Sequence, residues 1–525
     1  MAASRLPPFI NALLDPAVYP HPVERVELLQ THISYVLLAG DFVYKVKKPV
    51  DFGFLDYSTL AKRRFYCRQE VKLNSRFCAD TYLGVISIRR DGKRYSLSRG
   101  GQVVEYAVKM RRLPLKRRLD TLIEHGQATP QMLASLGEHL AQLHKRAETN
   151  PAIARTGELG IRQAWRENFK QWKPYIGRTI TAEQHEHLKR YARSFIQRHG
   201  SLLKLRAESG RVRDCHGDLR SDSVVFRDRG DICIFDCIEF NRRFRYTDVA
   251  GDVGFLAMDL DYRDHHELAT AFVDRYLRQS GDSTLQTVLP FFQCYRAAVR
   301  GKVEGFLLDV PSISATEKRH ATAAARRYFE LACRYAEADT PALLITYGLS
   351  GSGKSTLARE LASQLGLEVV TSDVVRKQLA GLAPGERRRE AVGGGIYAAS
   401  FTDNTYRAML ERAESALRAG RSVLVDATFL RRQHRQWARR LAERAGARFL
   451  CLQVRAREAT VRSRLYRRDQ QGNDPSDARW EVYLAQKRSR ERPDELTRDE
   501  LLMLDSEQPA DKLIDRVRQK LQPTL

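Results

Sequence analysis

The stretch LLITYGLSGSGKSTLARELASQL, residues 343–365, decides how the last third of this chain folds. It opens on an apolar run, passes through Gly348-Leu-Ser-Gly-Ser-Gly353-Lys354-Ser355, and continues with apolar residues at helical spacing. The pattern GxxxxGK[ST] is satisfied between an expected strand and an expected helix, the context in which it has a physical purpose. Glycines let backbone N–H groups curl closely around phosphate oxygens, and the helix N-terminus adds partial positive charge. A chance match in a chain of this length has odds on the order of a few per cent, before that context lowers them. The expected phosphate cradle is therefore Gly348, Ser350, Gly351, Ser352, Gly353, Lys354, Ser355 and Thr356. Lys354 is expected on the β- and γ-phosphates and Ser355 on Mg²⁺.

Working outward, LEVVTSD, SVLVDATF and RFLCLQV are further short apolar runs alternating with helical stretches, which predicts a parallel α/β sheet over 341–525. The segment AEADTP, ending at Pro341, breaks the preceding helix, so the expected domains are 1–335 and 341–525 with 336–340 as linker. The second strand run ends on Ser372-Asp373 and leads to Arg376, which puts a carboxylate and a cation at the C-terminal edge of the sheet, where ligands sit. Ser372 or Asp373 could equally serve as a helix N-cap. Asp426 ends another buried strand, in reach of Mg²⁺ or its waters. Further on, Arg462, Arg464, Arg467 and Arg468 crowd one helical stretch, with Arg464 and Arg468 on one face; a solvated helix in an arginine-rich chain has the same look.

Over about 341–525 these residues resemble the P-loop kinase family that includes gluconate kinases, phage polynucleotide 5′-kinases and zeta-toxin-like kinases. The resemblance implies ATP and Mg²⁺ as cofactors, Asp373 as general base on an acceptor hydroxyl, and Arg376 holding acceptor or phosphate. It also implies that Arg464 and Arg468 belong to a lid closing over the transferring phosphoryl.

In the first part of the chain, VERVELL and SYVLLAGDFVYKVKK predict antiparallel strands joined by a Gly-Asp turn. The segments STLAKRRFYCRQEVKLNSRF and QMLASLGEHLAQLHKR predict helices, and the middle of the chain is expected to be mainly helical. Around 212–236, SVVF and DICIFD flank RDRGD and predict a hairpin. Beside that hairpin stand Asp214-Cys-His216-Gly217-Asp218 and Ile-Phe-Asp236-Cys-Ile-Glu239. This arrangement resembles the aminoglycoside and choline phosphotransferase family, small-molecule relatives of protein kinases. The resemblance implies a protein-kinase-like, α+β fold with Asp218 as base, Asp236 on Mg²⁺, Lys45 holding phosphate and Glu70 as its partner. Lys47 has the same strand parity, so the choice of Lys45 rests on the family pattern.

Two departures stand out. Ser223 occupies the place of the family's Mg²⁺-binding Asn, a shorter and weaker oxygen ligand whose work could pass to Asp222 or Asp236. No glycine-rich loop precedes Lys45, which leaves QTHISYVLLAG to cover a nucleotide. A second phosphotransferase and a regulatory pseudokinase both remain open for this part. The order of the two parts resembles bacterial fusions of an aminoglycoside phosphotransferase-like domain with an ATP-binding domain.

At 525 residues the chain is too long for one core, and its composition is that of a soluble globular protein. Its net charge of +25 favours acidic partners, though arginine is spread through nearly every segment. The eight cysteines form no CxxC pair, so neither a zinc site nor a disulfide framework is expected. No stretch stays apolar long enough to span a bilayer, and a cytoplasmic location is the expectation. The expected function is ATP-dependent phosphoryl transfer to a small-molecule hydroxyl acceptor. The alternative is an RNA-binding protein with polynucleotide 5′-hydroxyl kinase-like or nucleotide-switch activity, motivated by the charge and by the basic run from Arg431 to Arg440. A nucleotide sensor without turnover is a third reading.

Overall fold

The computed structural model of the chain describes residues 6–53, 55–97, 100–311, 313–382, 394–471 and 479–521. They divide into two units, one of residues 1–185 with 200–332, the other of 186–199 with 333–525.

In the first unit the apolar alternation of residues 26–47 builds three antiparallel strands, β1 (Val26–Gln30), β2 (Ser34–Ala39) and β3 (Phe42–Lys47). The Gly-Asp turn joins β2 to β3 as the pattern requires. Gly40 there has φ +57°, and a Cβ at that position would lie 2.9 Å from the Pro22 carbonyl oxygen. Two long strands, β4 (Tyr82–Asp91) and β6 (Gln102–Arg111), with the short β5 (Arg94–Ser96) between them, extend the sheet to the order β1-β2-β3-β6-β4-β5. The expectation of a mainly helical middle therefore starts too early. The period-two run QVVEYAVKM was the available signal for β6.

Helix α1 (Leu60–Asn74) packs on β4 and β6 through Cys67, which meets Tyr82, Val108 and Met110. Helix α2 (Pro130–Arg146) buries Leu133, Leu136 and Leu140 on the expected stripe. After α3 (Ala182–Glu208) come β7 (Val212–Asp214), the antiparallel hairpin β8 (Val224–Phe226) and β9 (Ile232–Ile234), and β10 (Tyr246–Asp248), which pairs with β7. Helix α4 (Ala250–Tyr262) follows and is buried from Ala250 to Leu260.

Six of the eight cysteines are free and buried, but Cys78 and Cys233 form a disulfide, which corrects the expectation of none. The two are 155 positions apart and meet only because the segment after α1 is brought against β9. Spacing in the sequence carries no such information.

The change of unit at 332/333 falls inside helix α5 (Ala315–Ala338), and Pro341 precedes the first strand of the second unit. That unit also takes residues 186–199 of α3, where the Tyr191 hydroxyl donates to Asp339 at 2.9 Å. Its strands β11 (Ala342–Tyr347), β12 (Glu368–Thr371), β13 (Val423–Asp426), β14 (Arg448–Arg455) and β15 (Leu501–Asp505) form a parallel sheet in the order β12-β13-β11-β14-β15. Leu343, Ile345, Val423 and Val425 pack into one apolar cluster, and their neighbours Ala342, Leu344 and Leu424 into another on the opposite face. Both faces are covered, which is why these strands read as continuous apolar runs. The helices named below are α6 (Lys354–Leu365), α7 (Ser372–Leu379), α8 (Ala399–Arg418), α9 (Arg432–Ala445), α10 (Glu458–Gln471) and α11 (Trp480–Ser489). Among the described residues no helix is long and apolar enough to cross a membrane.

Arg206 is 1% exposed and forks onto both oxygens of Asp248 at 2.7 Å, with Asp282 at 2.8 Å. Removing one member of a buried ion pair leaves a charge without compensation. Arg206→Ala is expected to lower the unfolding free energy of the first unit by about 3–5 kcal/mol, read as a shift in the urea midpoint at unchanged slope.

Two candidate phosphate-handling sites

The first site lies at the C-terminal edge of the parallel sheet. Beyond β11 the chain turns through Gly348 (φ +158°), Gly351 (φ +79°) and Gly353 (φ +96°) into α6. Each glycine is also required by what surrounds it. A Cβ on Gly348 would lie 2.5 Å from the Val454 carbonyl oxygen, one on Gly351 2.9 Å from Val461, and one on Gly353 3.0 Å from Ser506. Helix α10 thus presses on the loop, with Leu349 of the loop packed on Val461, Leu465 and Tyr483.

Within the loop the Lys354 ammonium donates to the Leu349 carbonyl at 2.9 Å, and the Ser352 hydroxyl is buried without a hydrogen bond. The Ser350 N–H donates to the side-chain oxygen of Gln486 on α11 at 2.9 Å. Gln486 is a contact to the cradle that no sequence pattern announced. Ser355 and Thr356 are exposed in the first turn of α6.

The neighbouring strand ends supply the carboxylates. Asp426 is buried at the end of β13 and accepts from the Thr346 hydroxyl at 3.1 Å. Thr371 pairs in register with Asp426, and two residues later Asp373 sits half-buried in the first turn of α7. The N-cap of α7 is Thr371, so neither Ser372 nor Asp373 holds that position. Arg464 is fixed at the cradle, its guanidinium donating to the Ser506 hydroxyl at 2.9 Å and carbonyl at 3.1 Å, beside Gly353. The side chain of Arg468 lies outside the described residues. Arg376, expected at acceptor or phosphate, is buried and donates to the Ile396 carbonyl at 2.5 Å and to Thr402 at 3.2 Å, over the ring of Tyr397.

The basic run from Arg431 to Arg440 is only partly a surface. Arg435 is fully buried, with Glu495 at 2.6 Å and the Phe429 carbonyl at 2.8 Å, and Arg439 pairs with Glu500 at 2.7 Å.

The second site lies in the first unit, between β3, α1 and the β8–β9 hairpin. Lys45 reaches Glu70 at 2.9 Å and also Asp236, the residue the resemblance gave to Mg²⁺, at 2.5 Å. Lys47, of equal parity, is buried on the same Glu70 at 2.6 Å and is also bonded to Glu239. Burial disfavours the Lys45 ammonium, yet Asp236 and Glu70 outweigh it and hold its pKa well above the ordinary value. Burial likewise opposes ionisation of Glu70, and the two lysines reverse that effect, keeping its pKa low. Asp236 adopts φ +65°, a strained conformation for a side-chain-bearing residue, pinned by its N–H donating to the Tyr82 hydroxyl at 3.1 Å.

The loop carrying Asp218 hangs from α4. Asp252 accepts from the N–H of His216 at 2.7 Å and of Gly217 at 2.9 Å, and Asp259, two turns on, accepts from the N–H of Ser221 at 3.0 Å. The clue in the sequence was Asp252 and Asp259, seven apart in a mostly apolar helix that also carries Asp261. Asp218 itself has a side chain 42% exposed. Ser223, expected as a metal ligand, has its hydroxyl closed onto the loop backbone, donating to the Arg220 carbonyl at 2.7 Å and accepting from the Arg220 N–H at 3.0 Å. No glycine lies at the β1–β2 tip, where Thr31 accepts from the N–H of Ser34 at 3.0 Å.

These features define a kinase-like phosphotransferase unit followed by a P-loop nucleotide-binding unit. Residues 73–290 match the family model described as the phosphotransferase enzyme family, and residues 343–493 the model described as an AAA domain. Over 428 residues the chain is 33% identical to an uncharacterized protein of Mycobacterium tuberculosis, covering 80% of this chain and 82% of that one; a Mycobacterium bovis protein matches equally. The chain belongs to the same family as these mycobacterial proteins. Among solved structures, the amicoumacin kinase hAmiN is 14% identical, covering 61% of this chain and 92% of its own, with TM-score 0.37. The APS kinase CysC of Mycobacterium tuberculosis is 22% identical, covering 35% and 99%, with TM-score 0.27.

Two outcomes follow from the geometry. Gly351→Ala places a methyl against Val461 and Leu465 in a left-handed backbone, and is expected to cost about 1–3 kcal/mol of stability together with nucleotide affinity at the P-loop, read by thermal melting and nucleotide titration. Burial would raise the Asp252 pKa, but His144 and the surrounding positive groups bring it from 3.8 down to about 2. A carboxyl with a depressed folded pKa stabilises above its unfolded pKa and loses that stabilisation as pH falls through the folded value. The first unit is therefore expected to weaken between pH 3.8 and about pH 2, and Asp252→Asn should flatten that dependence in acid unfolding followed by circular dichroism.

Proposed function

We propose that the second unit transfers the γ-phosphoryl of ATP to a hydroxyl of a small-molecule acceptor. The observation that carries this reading is the convergence at one sheet edge of the glycine cradle, the carboxylates of Asp426 at the end of β13 and of Asp373 in the first turn of α7 just past the adjacent β12, and Arg464 beside Gly353. In this reading the cradle and Lys354 hold the triphosphate, Asp373 takes the acceptor proton, and Arg464, with Arg468, stabilises the transferring charge. Arg376, given its contacts, acts by fixing α7 to the start of α8 and so positioning Asp373. The hydroxyl of Ser355 and the carboxylate of Asp426 are hard oxygen ligands that fit Mg²⁺, and these residues would hold it. When bound, the ion would supply positive charge to offset that of the phosphates.

The first unit is then either a second phosphotransferase, with Asp218 as base, Lys45 holding phosphate and Glu70 pairing with Lys45, or a regulatory nucleotide site. Since Arg435 and Arg439 of the basic run are engaged within the unit, a small acceptor is favoured over an RNA end.

The test is ATP turnover with Mg²⁺ over pools of metabolites and of RNA 5′-hydroxyl ends, comparing the wild type with Lys354→Ala, Asp373→Asn and Asp218→Ala. Lys354→Ala and Asp373→Asn are each expected to lower turnover about 10²-fold or more, the scale of one lost charged contact or one lost base. Full turnover in Lys354→Ala would move the chemistry to the first unit, and products found only with RNA would replace the acceptor class.

A further inference from the structure

A kinase-like cleft that handles a nucleotide with two divalent ions draws on two oxygen ligands of the chain, one after the hairpin and one at the end of the loop carrying the base. The residues here do not fit that pair. At the loop end, the Ser223 hydroxyl donates to the Arg220 carbonyl and accepts from the Arg220 N–H, and the one lone pair left lies on a short side chain that is 5% exposed. After the hairpin, Asp236 gives one oxygen to Lys45 while its side chain stays 57% exposed, so a carboxylate face remains for one ion. The loop instead brings a fixed cation. Arg220 lies two residues after Asp218, its Nε 3.8 Å from that carboxylate and its Nη2 2.9 Å from Asp222. Its Nε is buried and makes no hydrogen bond, while the side chain as a whole keeps 19% of its surface exposed. A guanidinium never loses its charge and presents donors in the geometry of phosphate oxygens. It also repels a divalent ion placed beside it.

We propose that the first unit's cleft binds a nucleoside triphosphate with a single divalent ion at Asp236, and that Arg220 provides the positive charge a second ion would otherwise bring. This inference rests on the kinase-like character of the first unit and is independent of what the P-loop unit does.

The experiment uses the full-length chain with the P-loop disabled by Lys354→Ala together with Ser355→Ala, and ATP with Mn²⁺ as the probes. Bound Mn²⁺ is counted by electron paramagnetic resonance against bound nucleotide. One Mn²⁺ per nucleotide is expected; two, none, or no nucleotide binding would each overturn the proposal. In the same background Arg220→Gln is expected to weaken nucleotide binding about tenfold or more, the scale of a lost charge-assisted hydrogen bond, with Arg220→Lys falling between. Unchanged affinity in a folded Arg220→Gln protein would overturn the role of Arg220, and the Mn²⁺ count decides the metal question should that variant fail to fold. Because the P-loop is silent in these measurements, their failure leaves the reading of the second unit untouched.

Discussion

A charge withdrawn from water must be met by an opposite charge or by aligned hydrogen-bond partners, and both units are organised around that demand. In the first unit Lys45 and Lys47 share Glu70, and each lysine reaches one more carboxylate, Asp236 or Glu239. This chain of ion pairs joins β3, α1 and the segment after β9, so sheet, helix and the β8–β9 hairpin are placed by one network. In the second unit the buried Arg435 ties Glu495 and the carbonyl of Arg492 to the carbonyl of Phe429, just past the carboxylate-bearing end of β13. Loss of either network would leave charges stranded in an apolar surrounding, so each is a constraint on the site as much as a source of stability.

Strain sits next to these networks. Asp236 and Phe429 both have a left-handed backbone despite carrying side chains, at φ +65° and +47°. Each is over-determined by its neighbours: Asp236 by Lys45 and the Tyr82 hydroxyl, Phe429 by the Tyr406 hydroxyl at 3.0 Å and Arg435. Such conformations persist only where surrounding contacts outweigh their cost of about 1–3 kcal/mol. In both units the strained residue lies where the chain leaves a strand and enters the candidate site.

The two sites hold their loops by different means. The P-loop is shaped by its own glycines and pressed into place by α10, so most of its geometry is local. The loop carrying Asp218 has only Gly217 to ease its turn and hangs instead from Asp252 and Asp259 of a distant helix. A buried carboxylate accepting backbone N–H groups replaces what sequence flexibility supplies in the other unit.

Much of this was legible in the sequence, and for one reason: the strand, cradle and helix around Gly348–Ser355, the parallel sheet, the Gly-Asp hairpin and the β8–β9 hairpin are all written in residues close along the chain. Lys45 was chosen over Lys47 only through a family pattern, since strand parity treats the two alike. Contacts between residues tens to hundreds of positions apart were decided by the tertiary structure alone. They include the Cys78–Cys233 disulfide, the anchoring of the Asp218 loop by α4, and the inclusion of residues 186–199 in the second unit. The packing of Arg376 against Thr402 and the closure of Ser223 onto Arg220 belong with them, although the partners are nearer in sequence. Periodicity and motif spacing report which face of an element is apolar and where a backbone must bend. They carry no record of which buried polar groups will find each other once the elements are packed, because that depends on the three-dimensional arrangement in which every such group must be satisfied.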